Sequence, residues 1–274
     1  MKRHLKKIVK ESMPPAMLRL LQNVINRYGY YGNYSSWEEA EKDSTGYDAD
    51  VILQRVKEAL LKVKRGEAVY ERDSVLFDTV EYSWPLLAGL LWIASLNGNK
   101  LNVVDFGGSL GTSYFQNRKF LDHLNNLRWN IVEQKKFVEC GKQHFEDEIL
   151  RFYPDLSECL KEQDPHIVLL SGVIQYMEKP YELLDELMHT GFPYMIIDRT
   201  PFLEKGKDRI TVQKVPPKIY PANYPAWLFN EERFLKHISG KYVMAGEFIA
   251  LDGELILSGG GLVKHKGFIF QRKT

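Results

Sequence analysis

From residue 100 onward the chain alternates short apolar runs with stretches whose apolar residues recur at helical spacing. The short runs predict strands at 101–106, 129–133, 150–153, 167–171 and 194–198. The stretches between them predict helices at 112–126, 136–147, 156–163 and 180–189. Strand–helix alternation of this kind predicts an α/β fold, a doubly wound and mostly parallel sheet with helices on both faces. The tail breaks the rhythm. Residues 242–251 and 262–271 both read as strands, joined through Ser258-Gly259-Gly260-Gly261, and are expected to form an antiparallel hairpin.

The first hundred residues read as helical. Two segments within 2–27 are separated by Pro14-Pro15, and a turn-rich aromatic stretch, YGYYGNY, follows at 28–34. Ser36 with Glu39 has the spacing of a capping box. Residues 48–64 form an amphipathic pattern with Ile52, Val56, Leu60 and Val63 on one face. Residues 85–96, PLLAGLLWIASL, read as a buried helix too short to span a bilayer. We therefore divide the chain into a helical extension, 1–98, and a cofactor-binding domain, 99–274, with a lid insertion at about 199–229.

Composition changes this picture in one place. The 274 residues carry a net charge of +1, which gives no global pull toward nucleic acid. Residues 1–27 alone carry +6 and the remainder −5. A basic, partly apolar arm predicts a peripheral contact with an anionic membrane or packing against a second subunit. Two cysteines, Cys140 and Cys159, have neither metal-ligand nor disulfide spacing. A cytoplasmic location and a metal-independent chemistry are the expectations.

In open parallel sheets a ligand lies beyond the carboxyl ends of the strands. After the first strand the chain reads Asp105-Phe106-Gly107-Gly108-Ser109-Leu110-Gly111 and then a helix. Such glycines permit a sharp turn and let a ligand approach bare backbone. The dinucleotide spacing, with glycines at first, third and sixth positions, fits neither from Gly107 nor from Gly108. The second strand ends in Glu133-Gln134, where a carboxylate can accept ribose hydroxyls. The fourth runs into Ser171-Gly172-Val173-Ile174-Gln175-Tyr176.

The glycine segment resembles motif I of class I S-adenosylmethionine-dependent methyltransferases, with Ser109 in place of the middle glycine. Over a longer span the chain is similar to a family of methyltransferases encoded in bacterial surface-polysaccharide gene clusters, those for O-antigen and capsule. The segments that carry this likeness are GNYSSWEEA at 32–40, YERDSVLFD at 70–78, VVDFGGSLGTSYFQNRKFL at 103–121, NIVEQ at 130–134, IIDRTPF at 196–202 and DRITVQKVPPKIYPANYPAWLF at 208–229. The resemblance implies a seven-stranded Rossmann-like sheet and S-adenosyl-L-methionine as cofactor. It implies cofactor contacts at Asp105, Gly107, Gly108, Ser109, Gly111, Glu133, Gln134, Ser171 and Gly172. It also implies a sugar, nucleotide-sugar or lipid-linked saccharide as acceptor.

For the acceptor side the candidates are residues that follow strand ends or lie in the lid: Tyr176, Asp198, Arg199, Asp208 and Tyr224. None of the histidines follows the carboxyl end of a parallel strand, and His265, in the last strand, reads as a packing residue. An acceptor that is already an anion, a phosphate or carboxylate, needs no base, and Arg118, Arg199 and Arg209 then serve to orient it. A nicotinamide-dependent sugar-modifying enzyme and a non-catalytic cofactor-binding module are the competing readings. The failed dinucleotide spacing and the absence of a Tyr-x-x-x-Lys pair weigh against the first.

Overall fold

A computed structural model describes residues 28–46, 49–216, 219, 222–257 and 261–273. The basic arm at 1–27 and the glycine linker at 258–260 lie outside the described residues, and with them the helices expected at 2–27. The central sheet contains β4 (Lys100–Phe106), β5 (Asn126–Val132), β6 (Leu150–Tyr153), β7 (Ile167–Ser171), β8 (Tyr194–Leu203), β11 (Tyr242–Ile256) and β12 (Leu262–Arg272). Their order across the sheet is β6-β5-β4-β7-β8-β12-β11. The first five run parallel. β12 is antiparallel to both β8 and β11, so the expected hairpin is the edge of the sheet. β4 is flanked by β5 on one side and β7 on the other, so the strand order reverses there and opens a crevice at the carboxyl ends.

Alternate residues of these strands feed two cores. Leu101, Val103, Trp129, Ile131, Ile167, Leu169 and Ile196 face helices α2 (Ala49–Lys64), α3 (Trp84–Leu96), α4 (Thr112–Leu121) and α5 (Lys135–His144). Val104, Val132, Val168, Leu170, Met195 and Ile197 face α6 (Leu156–Glu162), α7 (Pro180–Thr190) and α8 (Glu231–Ser239). A strand buried on both faces is apolar on both, which is why the run at Ile167–Leu170 of β7 shows no alternation in the sequence.

Local signals set the helix ends. Before α1 (Trp37–Lys42), the Ser36 hydroxyl accepts the Glu39 N–H, and the Glu39 carboxylate reaches back to the Ser35 N–H. α7 starts on Pro180 and stops at Gly191, whose φ of 85° suits a residue without Cβ. The helix expected at 112–126 ends at Leu121, because Asn126 pairs with Lys100 as the first rung of β5. The helix at 85–96 is buried on one face only; Trp84 and Leu96 are more than half exposed.

The stretch at 199–229 is mostly strand. β8 continues past its pairing with β7 to Leu203. β9 (Arg209–Lys214) and β10 (Asn223–Asn230) then pair antiparallel, and β1 (Gly29–Tyr34) joins β9 with Tyr30 opposite Gln213. β10 returns to β8 in parallel at Phe229 and Phe202. A small antiparallel sheet is thereby attached at the carboxyl-end side of the large one. A second insertion, the hairpin β2 (Tyr70–Arg72) and β3 (Val75–Phe77), turns through Asp73 and Ser74 at φ 52° and 66°. Left-handed backbone at two consecutive non-glycine residues carries a steric cost that the surrounding structure must offset.

Candidate active site

The crevice between the large sheet, the small sheet and the β2–β3 hairpin is a cavity of about 1270 Å³. Its floor is the turn after β4. The Gly107 N–H donates to the Val132 carbonyl at 2.9 Å, tying the turn to the end of β5. Gly107 has φ 68°, and a Cβ there would lie 2.3 Å from Val173. Ser109, standing where motif I has its middle glycine, adopts a glycine-like φ of 56°. The serine thus takes a backbone conformation that usually falls to glycine. Gly111, at φ 100°, opens α4.

Asp105 lies beneath this turn, 1% exposed, with Trp129 Nε1 donating to Oδ2 at 2.9 Å and no partner on Oδ1. Burial pushes its carboxyl up to about 7 against the opposing Trp129 bond, and nearby Glu133 adds to the rise. A Cβ on Gly108 would collide with the Asp105 carboxylate. Glu133 lines the cavity from the end of β5. Burial raises its pKa too, while the Gln134 N–H, 2.6 Å away, favours the charged form. Gln134, Ser171 and Gly172 share the same wall, and Gly172 holds φ 69° with its N–H on the Asp198 carbonyl. Of the cofactor residues expected from the sequence, Asp105 and Gly111 support the turn, and the other seven line the cavity.

The acceptor candidates separate. Tyr176, Arg199 and Tyr224 line the cavity, Tyr176 edge-on to Tyr224 and donating to Gln213 at 2.7 Å. Asp198 is buried within β8, where its pairing with β7 ends, outside the lining, and accepts the Arg199 N–H. Burial raises its carboxyl to about 6, with Arg199 opposing. Asp208 does not reach the cavity. Its carboxylate accepts from Tyr181, Arg233 and the Asn230 N–H, fixing the start of β9 to α8. Arg209 donates to the Gly32 carbonyl, and Arg118 stands over the Phe115 ring; neither lines the cavity.

Arg199, at φ 55°, is the centre of an ion cluster. Its guanidinium donates to Asp252 at 2.9 and 3.3 Å and to Asp73 at 2.8 Å. Burial opposes ionisation of Asp252, yet Arg199 overrides it and holds that carboxyl down at about 2. Glu71, buried beside Asp73, accepts from the Thr112 hydroxyl and the Ser74 N–H. Burial takes it up to about 7 in spite of both bonds. Among the described residues the cavity wall carries eight carboxylate side chains against one arginine and no lysine.

Tyr30, Glu71, Asp73, Gln213 and Asp252 are given no site role by the sequence, and His265, which the structure places on the cavity wall, reads from the sequence as a packing residue. None follows a parallel strand's carboxyl end. They arrive on β1, on the hairpin, on β9, and on the β11–β12 edge, where pairing is interrupted between Ile249 and Glu254. The segment YERDSVLFD carried the signal for Glu71 and Asp73, as part of a resemblance without an assigned role.

No protein-family model and no curated protein sequence matches the chain. Among solved structures, it is similar to the 1,6-didemethyltoxoflavin-N1-methyltransferase of Burkholderia thailandensis. That structure holds S-adenosylhomocysteine, with 14% identity over 84% of this chain and 91% of that one, at a TM-score of 0.39. The N-terminal domain of EvdMO1, with S-adenosylhomocysteine and D-fucose, is 11% identical over 83% and 98%, at 0.45. Human N-acetylserotonin methyltransferase in complex with S-adenosylmethionine is 15% identical over 81% and 56%, at 0.42. No helix among the described residues is long and apolar enough to cross a membrane.

Proposed function

We propose that the chain is an S-adenosyl-L-methionine-dependent methyltransferase that methylates a hydroxyl group of a sugar, free or carried on a nucleotide or lipid. The observation that carries this reading is a single cavity that joins a glycine turn and a carboxylate at the β5 end to a wall of tyrosines and hydrogen-bonding side chains. The residues present fit the cofactor. Backbone N–H groups at the start of α4 suit its carboxylate, Glu133 suits its ribose, and the acidic wall suits its cationic groups. When bound, the cofactor supplies an electrophilic methyl group on a sulfonium.

The chain's own task is then to hold an acceptor oxygen in line with that methyl and to take its proton. Tyr30, Tyr176 and Tyr224 offer flat apolar faces with hydroxyl tips, a chemistry suited to a sugar ring. A phosphate or carboxylate acceptor is less well served. The one arginine of the wall is already shared by two carboxylates, and an anion would meet the remaining acids. The resemblance to the surface-polysaccharide family supports a glycan acceptor, and with it a cytoplasmic enzyme working on membrane-assembled precursors. Residues 1–27 are our candidate for contact with an anionic membrane or a second subunit.

Calorimetry with S-adenosylhomocysteine and with NAD, on the full chain and on Glu133→Ala, tests the cofactor. Binding of NAD in preference to S-adenosylhomocysteine would refute the proposal. Transfer of label from methyl-tritiated S-adenosylmethionine to methyl glycosides tests the acceptor.

A further inference from the structure

His265 is the only histidine on the cavity wall among the described residues, and it is 7% exposed. It stands on β12 opposite Pro201 of β8. Its Nδ1 lies 3.3 Å from the Gly253 carbonyl, and its Nε2 lies 3.3 Å from the Tyr30 hydroxyl. A carbonyl can only accept, so Nδ1 is the protonated nitrogen of that contact. In a neutral ring this leaves Nε2 as a lone pair directed at Tyr30. Tyr30 is itself buried and on the wall, and its one hydroxyl hydrogen faces two acceptors, Nε2 of His265 and the Tyr176 oxygen, whose own hydrogen goes to Gln213.

Three charged or titratable groups face the imidazole: Tyr30 from β1, Asp252 from the β11 bulge and Arg199 from β8. Burial pushes the imidazole pKa down, Asp252 pulls it up, and Arg199 pushes it down again. The net effect is a pKa below the ordinary histidine range, so the ring is neutral at pH 7. Three carboxylates of the same wall are less suited to the task. Asp73 and Asp252 are bound to Arg199, and Glu71 is held by Thr112 and Ser74.

We propose that His265 is the proton acceptor of the reaction, drawing the proton of the acceptor hydroxyl through Tyr30. This rests on the methyltransferase reading above. The acceptor O–H bond breaks as its oxygen bonds to the methyl carbon, and the carbon–sulfur bond breaks with its electron pair going to sulfur. Tyr30 takes the hydroxyl proton and passes its own to Nε2, the O–H turning from the Tyr176 oxygen to the imidazole. The products are a methyl ether, S-adenosylhomocysteine, a neutral Tyr30 and an imidazolium beside the Asp252 carboxylate, and no proton or electron is left unplaced. Gly253 sets the tautomer, and the interrupted β11 pairing brings both Gly253 and Asp252 to the ring.

Two measurements on the full chain decide it. In nitrogen-15 histidine spectra of protein saturated with S-adenosylhomocysteine at pH 7.5, His265 should show a protonated Nδ1 and a bare Nε2, and Tyr30→Phe should shift the Nε2 resonance. A proton on Nε2 overturns the proposal. In methyl transfer to a mixture of methyl hexosides, His265→Gln keeps a donor for Gly253 and an acceptor for Tyr30 but cannot take up a proton. It should lower kcat by about a hundredfold or more while KM and S-adenosylhomocysteine affinity hold. The parent's fall in kcat toward acid pH, where His265 gains a proton, should vanish in this variant. Parent-like turnover by His265→Gln overturns the proposal. Parent protein that binds S-adenosylhomocysteine yet methylates none of the hexosides defeats the sugar reading alone. The nitrogen shifts still decide His265, because the lone pair is required whichever hydroxyl is served.

Discussion

The two ends of the cavity are built by different means. At the end formed by β4, β5 and β7, the wall comes from turns that directly follow parallel strands, and their partners are near in sequence. Asp105 meets Trp129 across 24 positions. At the other end, β1, the β2–β3 hairpin, β8, β9, β11 and β12 each supply one or two side chains, and Tyr30 meets His265 across 235 positions. The first end is a motif in the ordinary sense. The second is a place where unrelated segments happen to converge. Backbone conformation dominates the first, and side-chain electrostatics dominates the second.

The sharpest way to break this contrast is Gly107→Ala. A Cβ in left-handed backbone, 2.3 Å from Val173, should abolish measurable S-adenosylhomocysteine binding in calorimetry. Affinity within threefold of the parent would show that the turn is not the cofactor's seat. Glu133→Ala should cost about ten- to a hundredfold in the same assay, the worth of a lost charged hydrogen bond.

Substitution at the other end should spare the cofactor. Arg199→Ala leaves Asp73 and Asp252 facing each other without a cation. It should lower unfolding stability by roughly 1.5–3 kcal/mol in urea titration while S-adenosylhomocysteine affinity stays put. A large loss of cofactor affinity would mean that the two ends are not separable.

Glu71 gives a smaller effect that depends on pH. Its carboxyl titrates near 7 in the fold and near its ordinary 4.5 once unfolded. A raised carboxylate stabilises the fold fully below its unfolded pKa and loses that contribution as pH rises through the folded one. Between about pH 4.5 and 7 the parent should therefore lose stability relative to Glu71→Gln, by on the order of 3 kcal/mol at most. Melting curves of both proteins at pH 5 and pH 8 check this; a constant gap would mean that Glu71 ionises normally. Smallest for function is Asp208→Asn, which should soften the β9–α8 junction in melting curves and leave cofactor affinity untouched.

The division also explains what was legible in the chain. β7 begins and ends where its apolar run does, because a strand buried on both faces must be apolar nearly throughout, and the edge strand β6 is legible from Leu150, Phe152 and Tyr153 in spite of its exposed Arg151. The glycine turn and Glu133 could be found by looking just past those strands. Arg199 and Tyr176 were within reach for the same reason. Asp208 looked equally suitable, since nothing local distinguishes a carboxylate in a cavity from one that pins a helix. His265 was read as packing because its strand runs antiparallel and brings it to the site from the reverse direction. Asp252 depends on a pairing interruption in β11 that no turn residue announces except Gly253. Hydrophobic pattern records which face of an element is buried; it does not record which distant charge will lie beside it.

The reach of the Tyr30–His265 contact bears on the order in which the molecule assembles. Closing a loop of 235 residues costs about 2 kcal/mol more chain entropy than closing one of 24. Contacts of such span are the slow ones to form in a folding chain. A ribosome-bound or refolding chain should therefore have the glycine turn and Trp129 in place while β1 is still searching for β9. On the reading proposed above, the protein would then pass through a stage at which it can already hold a methyl donor but has not yet acquired the wall that selects what to methylate.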